Sequence, residues 1–130
     1  MKSQEIARLP ADTLLADELS NDDSIIEMAN LDKSQTGSDG IIWISTMMTG
    51  APSVKYFVRA GRTQPSFSVT IAHQPRVATN SLPPQVLNQM SPLVMQWVTL
   101  NKDALLDFWH HGDTWTASQL IQFLQSFQTL

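Results

Sequence analysis

Asp103, Asp107 and His111 stand at i, i+4 and i+8, a spacing that lays two carboxylates and an imidazole along one face of a helix, with His110 beside them. Such groups can hold zinc or exchange protons near neutral pH, because their lone pairs and protons are usable there. No HExxH pattern and no outside ligand at a fixed spacing accompanies them. A histidine at a helix C-terminus is also accounted for by attraction to the negative end of the helix dipole. The expectation is therefore a solvated helix face, with a metal-dependent enzyme as the less favoured reading. Ser45, Thr46 and His73 supply the letters of a nucleophilic triad, but no Gly-x-Ser-x-Gly turn presents them. The five glycines are scattered singly, which leaves no phosphate-cradling loop, and the absence of cysteine removes thiolate chemistry and disulfides. A non-enzymatic protein without cofactor or metal is the expected class.

A surface is the stronger candidate. Three stretches read as half-buried strands: IIWIS from Ile41, VKYFVR from Val54 and SFSVTI from Ser66. If Val54, Tyr56, Val58, Phe67, Val69 and Ile71 face a core, the opposite face carries Lys55, Phe57, Arg59, Ser68 and Thr70, together with Trp43. Cations interleaved with aromatics are the raw material of a single-strand nucleic-acid platform or a toxin-type module, to which Arg62 would add charge. A pI near 5.1 opposes that use. A protein partner, or self-association, is the favoured alternative. Met47 and Met48 belong to it, since flexible apolar side chains in a hairpin loop suit a pliable contact.

The connections 46–52 and 60–65 are short and contain Gly50 and Gly61, which predicts an antiparallel meander. Pro75-Arg76-Val77 could add a fourth, edge strand. Residues 82–112 carry the clearest helical signal, with apolar residues at Val86, Met90, Val94, Trp97, Val98, Leu105, Phe108 and Trp109. Pro83 and Pro84 suit its start and Gly112 its end. Pro92 predicts a division at Gln89 to Ser91, because proline removes a helical N–H and Ser91 can cap. Thr116 and Gln119 match a capping box that opens a last helix with Leu120, Leu124 and Phe127 on one stripe.

Charge divides the chain in two. Residues 1–39 hold three bases against nine acids, a net of −6, whereas the remainder holds five bases against three acids, a net of +2. The acidic part predicts a helical piece from Pro10 or Ala11, a second short helix starting at Asn21 to Asp23, and a linker DKSQTGSDG ending near Gly40. It either presents a solvated acidic surface or covers the basic and aromatic sheet face. In the second case Leu14, Leu15 and Leu19 would pack on Phe57, and Asp17 or Glu18 would approach Lys55 or Arg59. No apolar run reaches the length of a membrane span and no signal peptide is apparent, so a cytoplasmic protein is expected, without membrane association.

The pieces Gly40 to Thr46, Pro52 to Lys55, Arg76-Val77 through Leu82-Pro83, and Asn101-Lys102 leading into Leu105 to Trp109 occur in the order of a known pattern. Over about residues 37–130 the chain resembles a small uncharacterised bacterial family, a domain of unknown function. The resemblance implies a short antiparallel sheet followed by two helices, often as a stand-alone protein, and no established chemistry. The family's first hairpin is rich in basic residues, with His and Arg beside the proline, whereas Met47-Met48-Thr49-Gly50-Ala51-Pro52-Ser53 stands here. No site residue transfers from it.

Together these observations predict an α+β fold. An acidic helical arm and linker occupies 1–39, and a domain over 40–130 has a three- to four-stranded antiparallel meander with two or three helices on one sheet face. The expected function is protein–protein interaction of a regulatory kind in a bacterial or phage protein, with Met47, Met48, Lys55, Phe57, Arg59 and Arg62 as contact residues.

Overall fold

The computed structural model describes residues 28–61 and 63–130. Helices expected near Pro10 and from Asn21 lie largely outside them. The architecture is α+β, with a five-stranded antiparallel sheet in the order β1-β2-β3-β4-β5 followed by helices. The strands are β1 (Met28–Leu31), β2 (Ile41–Ser45), β3 (Ser53–Phe57), β4 (Ser66–Thr70) and β5 (Val77–Asn80). Every strand pairs with its sequence neighbour, as short connections demand.

Five strands rather than three or four is a correction, and its source is the stretch expected to be a helix end and a linker. Met28–Leu31 pairs with β2 in the register Met28↔Ser45 to Leu31↔Ile42. Ala29 and Leu31 thereby join Ile44 and Ile42 on the apolar face, and Leu31 is fully buried. The polar run after it is ordered by local chemistry. It forms a one-turn helix, α1 (Lys33–Thr36), in which Asp32 Oδ1 accepts the Ser34 N–H at 3.0 Å and Gln35 Oε1 accepts the Asp32 N–H at 3.2 Å. Gly37 closes that turn at φ 82°, and Gly40 turns into β2 at φ 86° directly beneath the Tyr56 ring, where a Cβ would collide with the phenol.

The brief fourth strand expected at Pro75 to Val77 is β5, an edge strand as expected but shifted to Val77–Asn80. A register shift between Ser68 and Val69 accompanies it. There the Ser68 hydroxyl takes the Thr79 N–H at 3.1 Å and meets Thr79 Oγ1 at 2.7 Å, so a side chain satisfies the donor that the irregular ladder leaves.

Three helices follow: α2 (Pro84–Leu100), α3 (Lys102–His111) and, after a 3₁₀ turn at Gly112–Thr114, α4 (Ala117–Leu124). Pro83 and Pro84 open α2 as expected. The division expected at Gln89 to Ser91 is not there. α2 runs through Pro92 without interruption, with Pro92 exposed and Met90, Val94, Trp97 and Val98 buried, and the chain divides instead at Asn101. One lost N–H on a solvent-facing turn costs less than unseating that buried stripe. Asn101 has φ −117° and ψ 19°, and its buried amide replaces the bonds lost at the break. Its Nδ2 donates to the Trp97 carbonyl at 3.0 Å and to the Gln128 carbonyl at 2.9 Å, while Oδ1 accepts the Gln128 N–H at 2.8 Å.

Gly112 does end α3, though at φ −58°, a conformation open to any residue. Space is what requires glycine there, because a Cβ would come within 2.6 Å of Phe108 Cδ1 and 3.0 Å of Thr46 Cγ2. The Thr116–Gln119 capping box forms as the sequence predicts, with bonds of 3.2 and 2.8 Å. Leu31, Ile42, Ile44, Val54, Tyr56, Phe67 and Val69 from the sheet meet Val94, Trp97, Val98, Leu105, Phe108, Leu120 and Phe123 from the helices in a single core. Phe108, Trp115, Phe123 and Phe127 form a chain of ring contacts 4.8 to 5.9 Å apart that ends on Trp97.

Candidate functional site

The helix face that opened the sequence argument does not assemble into a site. His111 Nδ1 lies 2.9 Å from Asp107 Oδ1, one exposed pair on one helix turn. Asp103 turns to the neighbouring Lys102 at 3.3 Å instead. Among the described residues no three His, Asp or Glu side chains are grouped to hold a metal ion. A groove of about 380 Å³ lined by Ser34, Gln35, Leu124, Gln125 and Phe127 contains no ionisable side chain.

The sheet face turned away from the helices is built more deliberately. Pleating alternates side chains between faces, and the strand registers align Asn30, Trp43, Lys55, Ser68 and Thr79 in one file across all five strands. Lys55 Nζ sits over the Trp43 ring, 5.5 Å from its centroid. That placement keeps the cation on the sheet instead of extended into solvent. A second file sets Ile41 opposite Phe57 and Phe57 opposite Ser66.

The two sheet faces separate nearly as the alternation predicts, with two differences. Val58 is 53% exposed rather than a core residue, because β3 ends at Phe57 and the alternation ends with it. Phe57, expected as an accessible contact, is only 5% exposed. It is nevertheless no member of the core cluster, which contains every other buried apolar side chain among the described residues.

The five predicted contact residues that the structure describes are not all brought together. Met47 and Met48 lie in the β2–β3 connection, at the Ser53 end of β3, while Phe57 and Arg59 lie at its other end. Four residue steps separate the two ends, about 13 Å along the strand. Met47 is 60% exposed, Met48 half-buried, Arg59 exposed and Lys55 half-buried; Arg62 lies outside the described residues. The hairpin base is held by Ser45, a buried residue whose Oγ accepts the Met47 N–H at 2.9 Å. Gly50 turns the loop at φ 88° with open space around it, so conformation rather than crowding requires glycine.

Among the described residues, Tyr56 is the titratable group whose environment shifts it clearly. Burial, and secondarily the Asp39 carboxylate, raise its phenol above the ordinary value of 10.0. It stacks on Phe67 at 5.0 Å inside the core, so this shift belongs to the fold and not to a reactive centre.

Sequence reasoning missed Asn30 and Thr79 as members of the outer file, because β1 was not foreseen and the fourth strand was expected at Pro75 to Val77, short of Thr79. Four-residue strands at sheet edges give little periodicity to read. Among the described residues no helix is long and apolar enough to cross a membrane. Comparison of the chain with protein-family models, curated proteins and solved structures finds no match to any of them.

Proposed function

We propose that this chain acts through protein–protein contact rather than catalysis, as a small regulatory partner whose contact is the β2–β3 hairpin. One observation carries the reading: Met47, a long apolar side chain, stands 60% exposed on a loop whose base is fixed by the buried Ser45. An exposed methionine on an anchored loop offers an adaptable apolar contact at small cost in ordering entropy. The hairpin residues Met47-Met48-Thr49-Gly50-Ala51-Pro52-Ser53 include no base, which favours an apolar partner surface over a phosphate-rich one.

The test is affinity capture with the full chain, comparing wild type with the double variant Met47→Ser, Met48→Ser, alongside light scattering for self-association. The reading expects a specific partner, or a dimer, that the double variant loses while its melting temperature stays put. Unchanged partners and oligomeric state in the variant would remove its basis. Retention on single-stranded nucleic acid that weakens steeply with salt, and that is lost in Lys55→Glu, would replace it with the nucleic-acid reading.

A further inference from the structure

After α4 the chain leaves regular structure, and residues 126–130 run past Asn101 to the end of α1. The protein holds this segment mainly by its backbone. Asn101 Nδ2 donates to the Gln128 carbonyl at 2.9 Å and Asn101 Oδ1 accepts the Gln128 N–H at 2.8 Å, the exchange that two residues make in an antiparallel ladder. Two residues on, the Leu130 N–H donates to the Thr36 carbonyl at 2.9 Å, so alternate amides face the protein as in an added strand. Gly37 lets that backbone come close, since a Cβ there would stand 2.8 Å from the Leu130 nitrogen. One side chain enters. The Phe127 ring packs 5.2 Å from Trp97 and 4.8 Å from Phe123, while Ser126, Gln128, Thr129 and Leu130 are exposed.

We propose that this seat is a binding site for an extended peptide segment of a partner protein, filled in the structure by the chain's own residues 126–130. The partner segment carries an aromatic side chain directly before the residue whose N–H and C=O Asn101 clamps. Three observations select it. First, the contacts read main chain plus one ring, so an extended segment bearing that ring meets all of them. Second, the seat is built independently of its occupant. Asn101 Nδ2 also donates to the Trp97 carbonyl at 3.0 Å, which orients the amide with or without Gln128, and the Asp32 capping box fixes α1. Third, the occupant leaves space. The groove of about 380 Å³ bordered by Phe127, Ser34, Gln35, Leu124 and Gln125 is uncharged, so a partner that places a further apolar side chain there gains contacts that the chain's own segment lacks. Residues 127–130 are held by one half-buried ring and three hydrogen bonds, and such a segment opens more readily than the core. The site does not depend on the hairpin contact proposed above.

The test titrates full-length Phe127→Ala, whose own segment has lost its ring, with the synthetic peptide SFQTL, the sequence of residues 126–130. The NMR reporters are the Asn101 side-chain amide and the Trp97 indole N–H, which is buried without a hydrogen-bond partner among the described residues and lies against the seated ring. The expected result is saturable shifts of both signals, with affinity about tenfold tighter than for wild type, whose own segment competes. Full-length Leu130→Pro, which removes the bond to Thr36 and alters no core residue, should bind about threefold tighter than wild type. Replacing the peptide's phenylalanine by alanine, or N-methylating its glutamine, should abolish the shifts. The proposal is overturned if SFQTL moves neither signal in either variant, or if the shifts survive in both altered peptides. It is also overturned if the Gln128 amide exchanges no faster in Phe127→Ala than in wild type. A wild-type dimer that SFQTL dissociates would make a second copy's segment the occupant and overturn the separate partner.

Discussion

Asn101→Ala should destabilise this protein by about 2 kcal/mol, through a side chain outside the proposed hairpin contact. The buried amide makes three hydrogen bonds, to the Trp97 carbonyl and to both backbone groups of Gln128. At about 0.5–1.5 kcal/mol net each, their loss sums to about 1.5–4.5 kcal/mol. The lower part of that range applies for two reasons. The Trp97 carbonyl keeps the Asn101 backbone N–H at 3.1 Å, and Gln128 is exposed, so water replaces its lost partners. The expected fall in melting temperature is about 6–10 °C. Urea unfolding followed by tryptophan fluorescence measures the free energy, and amide exchange at Gln128 reports whether the C-terminal segment has come loose.

Asn101→Asp separates hydrogen bonding from packing. It keeps shape and the acceptor for the Gln128 N–H, but it turns a carboxylate oxygen toward the two carbonyls that the amide nitrogen now serves. The near-isosteric change should therefore cost more than truncation, because a buried unpaired charge is worse than a small gap. A loss below about 0.5 kcal/mol in the alanine variant, with Gln128 exchange unchanged, would refute the clamp. An aspartate variant milder than the alanine variant would refute it as well.

Gly112→Ala should destabilise by about 1–3 kcal/mol despite ordinary helical dihedrals, because its methyl meets Phe108 and Thr46; urea unfolding tests it, and Gly112→Ala with Thr46→Ser should recover part of the loss. Thr116→Ala should cost about 1 kcal/mol by opening the capping box of α4, seen as a lower urea midpoint at unchanged slope. Tyr56 contributes a pH dependence of definite sign. Its folded phenol titrates above 10.0, so the unfolded chain loses the proton first. The contribution is present below about pH 10 and is lost as pH rises from there through the folded value. In Tyr56→Phe, stability measured by denaturant titration should fall less steeply across that alkaline window than in wild type.

Periodicity and end chemistry determined the parts of this protein whose signals are local. The alternation in VKYF and SFSV assigned Val54, Tyr56, Phe67 and Val69 to the core side, and the Thr116–Gln119 pair marked the last helix, because each depends only on neighbours two to four residues away. The same local reading could not see β1. Its four residues carry no clear period, and only pairing with β2 makes them a strand. It also placed a helix break at Gln89 to Ser91, just before Pro92, because the proline itself argues for one. Packing of Val94, Trp97 and Val98 carries α2 past it, and the division falls where Asn101 can reach Gln128, 27 residues away. The candidate surface divides in the same way. Residue types named Met47, Lys55 and Phe57 in advance, but only the sheet registers set Lys55 over Trp43 and put the hairpin at the far end of β3 from Phe57 and Arg59. Burial of Phe57 outside the core is likewise a property of layers, which no pattern along the chain encodes.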